Sequence, residues 1–186
     1  VEAAERDTSK ERPFDMKLEA LLPVIRKEIP LKTHAHRADD IFTAMRIAKE
    51  FDINYVIIHA TEGHLIATRL KSEQVSVLSG PILSDRSKPE LVNLSTKTPG
   101  VLTNNGILLA ITTDHPETPV QYLQLCAALA IRDGMERYEA LKAVTINPAK
   151  ICGIFDKVGS INAGKDAERS TECISYQVFC KKQPDS

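Results

Sequence analysis

The chain has 186 residues, of which 42% are hydrophobic, and its 24 basic and 25 acidic side chains leave a formal net charge of -1. That length fits one domain, or one domain with an appendage, and the apolar share is enough for a sizeable core, which argues against global disorder. Scattered Lys and Arg, 5% aromatics and no Trp give neither the basic stripe nor the stacking platform of a nucleic-acid binder.

The four cysteines, Cys126, Cys152, Cys173 and Cys180, form no C-x-x-C pair, so neither a zinc ribbon nor a thioredoxin-type site is indicated. Cys126 falls on an apolar helical face and reads as a small core residue. With no signal-peptide pattern and no apolar run long enough to span a bilayer, the expectation is a soluble, cytoplasmic chain with no membrane partner. The sequon at Asn93-Leu94-Ser95 then reads as a chance match.

In chain order, residues 1–15 are charged and aperiodic and read as a linker or arm. Met16 to Glu28 has a helical apolar pattern (Leu18, Leu21, Leu22, Ile25) that Pro23 must interrupt or restart. Leu31 to Ala35 reads as a strand. Ile41, Ala44, Met45 and Ala48 fall at helical spacing, so residues 38–51 form an amphipathic helix with Asp39 and Asp40 in its first turn. The β-branched run Tyr55 to His59 suits a strand buried on both faces. A helix over about 62–72, a strand at Val75–Leu78 and a turn at Gly80-Pro81 follow, then a polar loop over 79–97. A short helix near Pro99–Asn104 leads to a fourth strand, Ile107 to Thr112. Tyr122, Leu125, Cys126 and Leu129 mark a helical face closed by Gly134. Helices over Glu136–Val144 and from Asn147-Pro148 complete the pattern.

Four consecutive βα units predict an α/β parallel sheet with helical cover. A (β/α)8 barrel usually takes about 250 residues, so four units amount to half of one. Three of the strands finish on metal-competent side chains: Thr33-His-Ala-His36, His59, and Asp114 of Thr112-Thr-Asp-His115. The C-terminal edge of a parallel sheet is where such folds carry their sites. Imidazole and carboxylate together suit zinc or a similar divalent ion. Of His34 and His36, only one is expected to face a barrel interior. A single strand-end histidine is more often a hydrogen-bonded structural residue than a ligand, and Asp114 could instead cap a helix. His64 reads as a surface or supporting residue, and Asp39 and Asp40 serve the helix dipole. Three ligand types at equivalent strand ends shift that balance toward a site.

These residues resemble the C-terminal half of an amidohydrolase-superfamily enzyme, nearest to imidazolonepropionase-like and dipeptidase-like metal-dependent members. The resemblance rests on Thr33-His-Ala-His36 with Arg37-Ala-Asp-Asp40, on Ile58-His-Ala-Thr-Glu-Gly63 and on Thr112-Thr-Asp-His-Pro116. It continues through Ala143-Val-Thr-Ile-Asn-Pro-Ala149 and Val158-Gly-Ser-Ile-Asn-Ala-Gly-Lys-Asp-Ala167, and spans about residues 17–167. It implies that 16–153 are βα units five to eight of a TIM barrel and that 154–186 hold the remnant of a small β-sandwich and a divergent tail.

The resemblance further implies that His34, His59 and Asp114 bind the metal, with Asp114 also shuttling a proton. His36, Arg86 and His115 fall where substrate-facing or supporting groups would sit. The implied activity is hydrolysis of a C–N bond, amide or cyclic amide, by water activated on a divalent metal, most simply zinc, acting on a small-molecule substrate. Imidazolone rings, acylated amino acids and dipeptides all remain open as substrates. The family's first-strand His-x-His pair and fourth-strand lysine are missing, since no histidine precedes His34. A truncated or split enzyme, or a non-catalytic half-barrel serving as an interaction scaffold, are therefore the two readings. Either way, open sheet edges lead one to expect self-association or pairing with an N-terminal half. An open flavodoxin-like domain binding a phosphorylated ligand is a weaker third, because no Gly-rich loop follows the first strand.

Overall fold

The structure, a computed structural model, describes residues 14–166. The expectations for most of the N-terminal arm, for the tail after Asp166 and for Cys173 and Cys180 lie outside those residues. Among the described residues two short helices come first, α1 (Met16–Glu19) and α2 (Leu22–Ile25). The helical pattern over 16–28 restarts at Pro23 as expected, because Pro23 has no N–H to continue the hydrogen-bond ladder and sits in a new first turn.

Four strands follow: β1 (Leu31–Ala35), β2 (Tyr55–His59), β3 (Ser76–Ser79) and β4 (Leu109–Ile111). They pair in the order β1-β2-β3-β4, every pair parallel. Between them run α3 (Ala38–Glu50), a 3-10 turn at Gly63–Ile66 continuing into α4 (Ala67–Ser72), and α5 (Thr98–Asn104). After β4 come α6 (Leu123–Arg132), α7 (Arg137–Ala143) and α8 (Ile146–Ile151). This is an α/β half-barrel of four βα units. Residues 154–166 contain no strand.

One face of the sheet meets the helices. Ile57, Val77, Leu109 and Ile111 pack there with Ile41 and Met45 of α3, Leu70, Leu102, and Cys126, Ala127 and Ala130 of α6. Ile41, Ile57, Leu70, Leu102 and Leu109 are fully buried, each stabilising the fold by about 1.5–3 kcal/mol relative to exposure. The buried face of α6 differs from the expected one: Tyr122 and Leu125 are exposed, and the small residues Ala127 and Ala130 let the helix lie close to the sheet. On the opposite face Val56 and Ala110, with Leu78 beside them, pack against Ile151 of α8.

Among the described residues, the two outer strands have one neighbour each. Leu31 N–H donates to Asn54 and the Ala35 carbonyl accepts from Ala60 N–H, so the alternate peptide groups at Lys32 and His34 point to the open side. On the other edge, Asn147 donates its side-chain amide to the Leu109 carbonyl at 2.8 Å. No helix among the described residues is long and apolar enough to cross a membrane.

Candidate metal centre

His34 lies in β1, His59 closes β2, and Asp114 follows β4, all at the C-terminal edge. The register pairs His59 with Ala35 rather than with His34, so strand alternation alone would send its ring toward the helices. The backbone prevents this. His59 and Ala60 have φ of 73° and 46°, and Asp114 has 51°. Non-glycine residues in the left-handed region are uncommon and cluster where a fold holds side chains in demanding positions.

His34, His36 and His59 each offer a ligand atom within 4.8 Å of the others. Their rings touch: His36 stacks on His59 at 4.4 Å, and His34 stands edge-on to His59 at 4.1 Å and to His36 at 4.9 Å. The expectation that only one of His34 and His36 faces inward is corrected here. Residues two apart on an extended chain share a face, and both rings converge. Asp114 Oδ2 stands 4.0 Å from His59 Nε2.

The chemistry of His59 is set by its neighbour. The Gly80 carbonyl lies 2.5 Å from Nδ1 and can only accept, so Nδ1 carries the proton and Nε2 is left with a free lone pair. That Nε2 is buried and has no hydrogen-bond partner among the described residues. A buried acceptor without a partner is costly in a finished core, whereas a ligand atom whose opposite ring nitrogen is anchored on a carbonyl is the usual metal-binding arrangement. His36 Nδ1 pairs with the Thr61 hydroxyl at 2.8 Å.

Burial, then the neighbouring imidazoles of His59 and His34, push the His36 pKa down to about 4. Burial likewise lowers that of His59, only partly offset by the Gly80 bond. Both rings are therefore neutral at physiological pH, the form that binds metal. The three histidines, Thr61, Gly80 and Asp114 line a cleft of about 50 Å³, with Ser87, Lys88 and Glu117 also on its walls.

A model of the amidohydrolase family matches residues 22–168. The chain belongs to the amidohydrolase family. It is 44% identical to an amidohydrolase of known structure from Thermotoga maritima, with a TM-score of 0.84, over 89% of this chain and 43% of that one. It is 26% identical over 162 residues to amidohydrolase tasK of Hapsidospora irregularis, covering 84% of this chain and 16% of that protein. A zinc-bound adenosine deaminase from Xanthomonas campestris shares the fold, with a TM-score of 0.55 at 20% identity over 75% of this chain and 36% of that one. The chain thus spans less than half the length of each of these relatives. The family is metal-dependent, and the histidine cluster fits a metal site.

Two residues expected near the site stand off it. Arg86 donates to the Leu94 carbonyl at 2.7 Å, which holds its guanidinium within its own loop, and it lines a separate surface depression with Ile82 and Ser84. His115 is exposed and is not among the residues lining the cleft. Asp114 caps no helix, since the next α-helix begins only at Leu123. His64 pairs with the Thr98 hydroxyl, away from the cleft. Thr61, Gly80 and Lys88 are the additions; only the turn signal at Gly80-Pro81 hinted at any of them.

Proposed function

We propose that this half-barrel carries the metal-binding side of a hydrolase that cleaves C–N bonds, amide or cyclic amide, in a small-molecule substrate. The observation that carries the reading is the buried, unpartnered Nε2 of His59, beside the rings of His34 and His36. His34, His59 and Asp114 would hold a divalent ion, with His36 beside them. Mixed imidazole and carboxylate donors favour zinc.

When bound, such an ion supplies Lewis-acid activation of water and of the scissile carbonyl. The chain's own residues do the rest. The Gly80 carbonyl fixes the tautomer of His59, and burial keeps His36 and His59 unprotonated. Asp114 reaches solvent at the mouth of the cleft, with its side chain 44% exposed. From there its carboxylate can take a proton from the attacking water and return it to the leaving nitrogen.

We further propose that the open edges at β1 and β4 are covered by self-association or by pairing with four complementary βα units. A half-barrel that turns the Lys32 and His34 peptide groups away from β2 offers a template for strand addition, which Lys32 only partly blunts.

The test is amine release from a panel of N-acyl amino acids, dipeptides and cyclic amides by the zinc-loaded protein. Turnover that needs zinc and is lost in Asp114→Asn is expected. Zinc binding without turnover of any amide would instead favour a non-catalytic interaction module.

A further inference from the structure

Helix α3 begins directly after His36, and the residue at its N-cap, Arg37, provides no side-chain cap. The first turn of a helix leaves N–H groups without partners, and a residue other than Ser, Thr, Asp or Asn at the cap seldom satisfies them. Here the cap comes from another βα unit. Glu62 Oε2 accepts the Ala38 N–H at 2.8 Å. Its other oxygen, Oε1, accepts the Asn93 side-chain amide at 2.8 Å. Asn93 belongs to the 79–97 loop, whose Ser87, Lys88 and Leu91 wall the cleft.

The backbone around Glu62 engages the same turn. Glu62 N–H donates to the His36 carbonyl at 2.9 Å, and Ala60 N–H to the Ala35 carbonyl at 3.0 Å. The adjacent Thr61 hydroxyl holds His36 Nδ1. One half-buried carboxylate therefore fastens the start of α3 on one side and the cleft-wall loop on the other, three residues beyond His59.

We propose that Glu62 is the positioning residue of the centre: it latches the His36 turn to the cleft-wall loop and so sets the spacing of the imidazole donors. Glu62 does not line the cleft and acts through the groups it holds. The proposal rests on the histidine cluster being a metal site.

Cobalt(II) binding tests it, because the visible bands of the ion report its coordination and need no catalytic turnover. In Glu62→Ala both arms are cut, and metal affinity should fall by about 10–100-fold, as for other supporting residues of metal sites, with altered bands. Glu62→Gln separates geometry from charge. Its Oε1 can accept from Ala38 N–H, and its amide can donate to Asn93 Oδ1 once that side chain turns over. It should therefore bind close to wild type.

Asn93→Ala cuts the loop arm alone and remains readable if Glu62→Ala fails to fold. A several-fold loss of affinity is expected. A Glu62→Ala or Asn93→Ala protein with wild-type affinity and bands overturns the latch and leaves the histidine site standing. A Glu62→Gln protein as weak as Glu62→Ala overturns it too, by assigning the effect to charge. A wild-type protein that binds no cobalt removes the metal reading, and the latch with it.

Discussion

The imidazole of His59 donates through Nδ1 to the Gly80 carbonyl at 2.5 Å, and that bond determines which nitrogen is offered to the cleft. The carbonyl can be there only because Gly80 takes a φ of +136°, and a Cβ at this position would meet the Thr112 carbonyl oxygen at 2.0 Å. Gly80→Ala is thus predicted to shift the end of β3 and lose about 2 kcal/mol or more of stability. Urea unfolding of the metal-free protein checks this, and an unchanged midpoint would contradict it.

Asn147 works at the opposite edge of the sheet. Its amide satisfies the buried Leu109 carbonyl. Asn147→Ala leaves that carbonyl without a partner, at a cost of about 1–3 kcal/mol. A thermal unfolding series with Asn147→Ala should show the loss without altered metal binding, since Asn147 lines no part of the cleft.

Stability should also depend on pH through His36. Its pKa drops from 6.5 unfolded to about 4 folded. Between those values the unfolded chain holds more protons than the folded one, so stability rises with pH across the window. The contribution is fully present above 6.5 and is lost as pH falls toward 4. Unfolding of the metal-free protein at several pH values should show this slope, and His36→Asn should flatten it. An identical slope in that variant would refute the assignment.

How far the sequence foretold this arrangement differs from residue to residue. β1 and β2 have the bounds read from the apolar run before His34 and the β-branched run Tyr55 to His59. The run in β2 reports burial on both faces of a parallel sheet directly, whereas Lys32 and His34 leave β1 exposed on one face. The helix expected over 62–72 instead starts as a 3-10 turn, with Gly63 packed closely against Ala60 and Leu102. That crowding is tertiary and leaves no periodic trace.

His34, His59 and Asp114 stand out in the sequence because each lies at or just past the C-terminal end of a strand. The convergence of His36 follows from its spacing to His34, because residues two apart on a strand share a face. The Gly80 carbonyl and the Glu62 carboxylate could not be found by pattern, because each meets its partner across 21 or more residues of chain. The resemblance puts Arg86 where a substrate-facing or supporting group would sit, but a local carbonyl claims its guanidinium.

The outer strands lead to a prediction about assembly. With Lys32 and His34 peptide groups facing outward on β1, sedimentation should reveal dimers or larger species that persist in moderate salt. A single monomeric species across the concentration range would contradict the proposed covering of the edges.

Removal of the proposed ligands should rank by burial. His59 is nearly inaccessible while Asp114 is partly exposed and 4.0 Å away, so Asp114→Asn should weaken zinc binding less than His59→Ala. The measurement that bears most directly on the centre is equilibrium zinc binding to the wild-type chain, His34→Ala and His59→Ala at neutral pH. One tightly bound ion per wild-type chain, absent from both variants, is the predicted result. No stoichiometric zinc in the wild type, or undiminished zinc in His59→Ala, would contradict it.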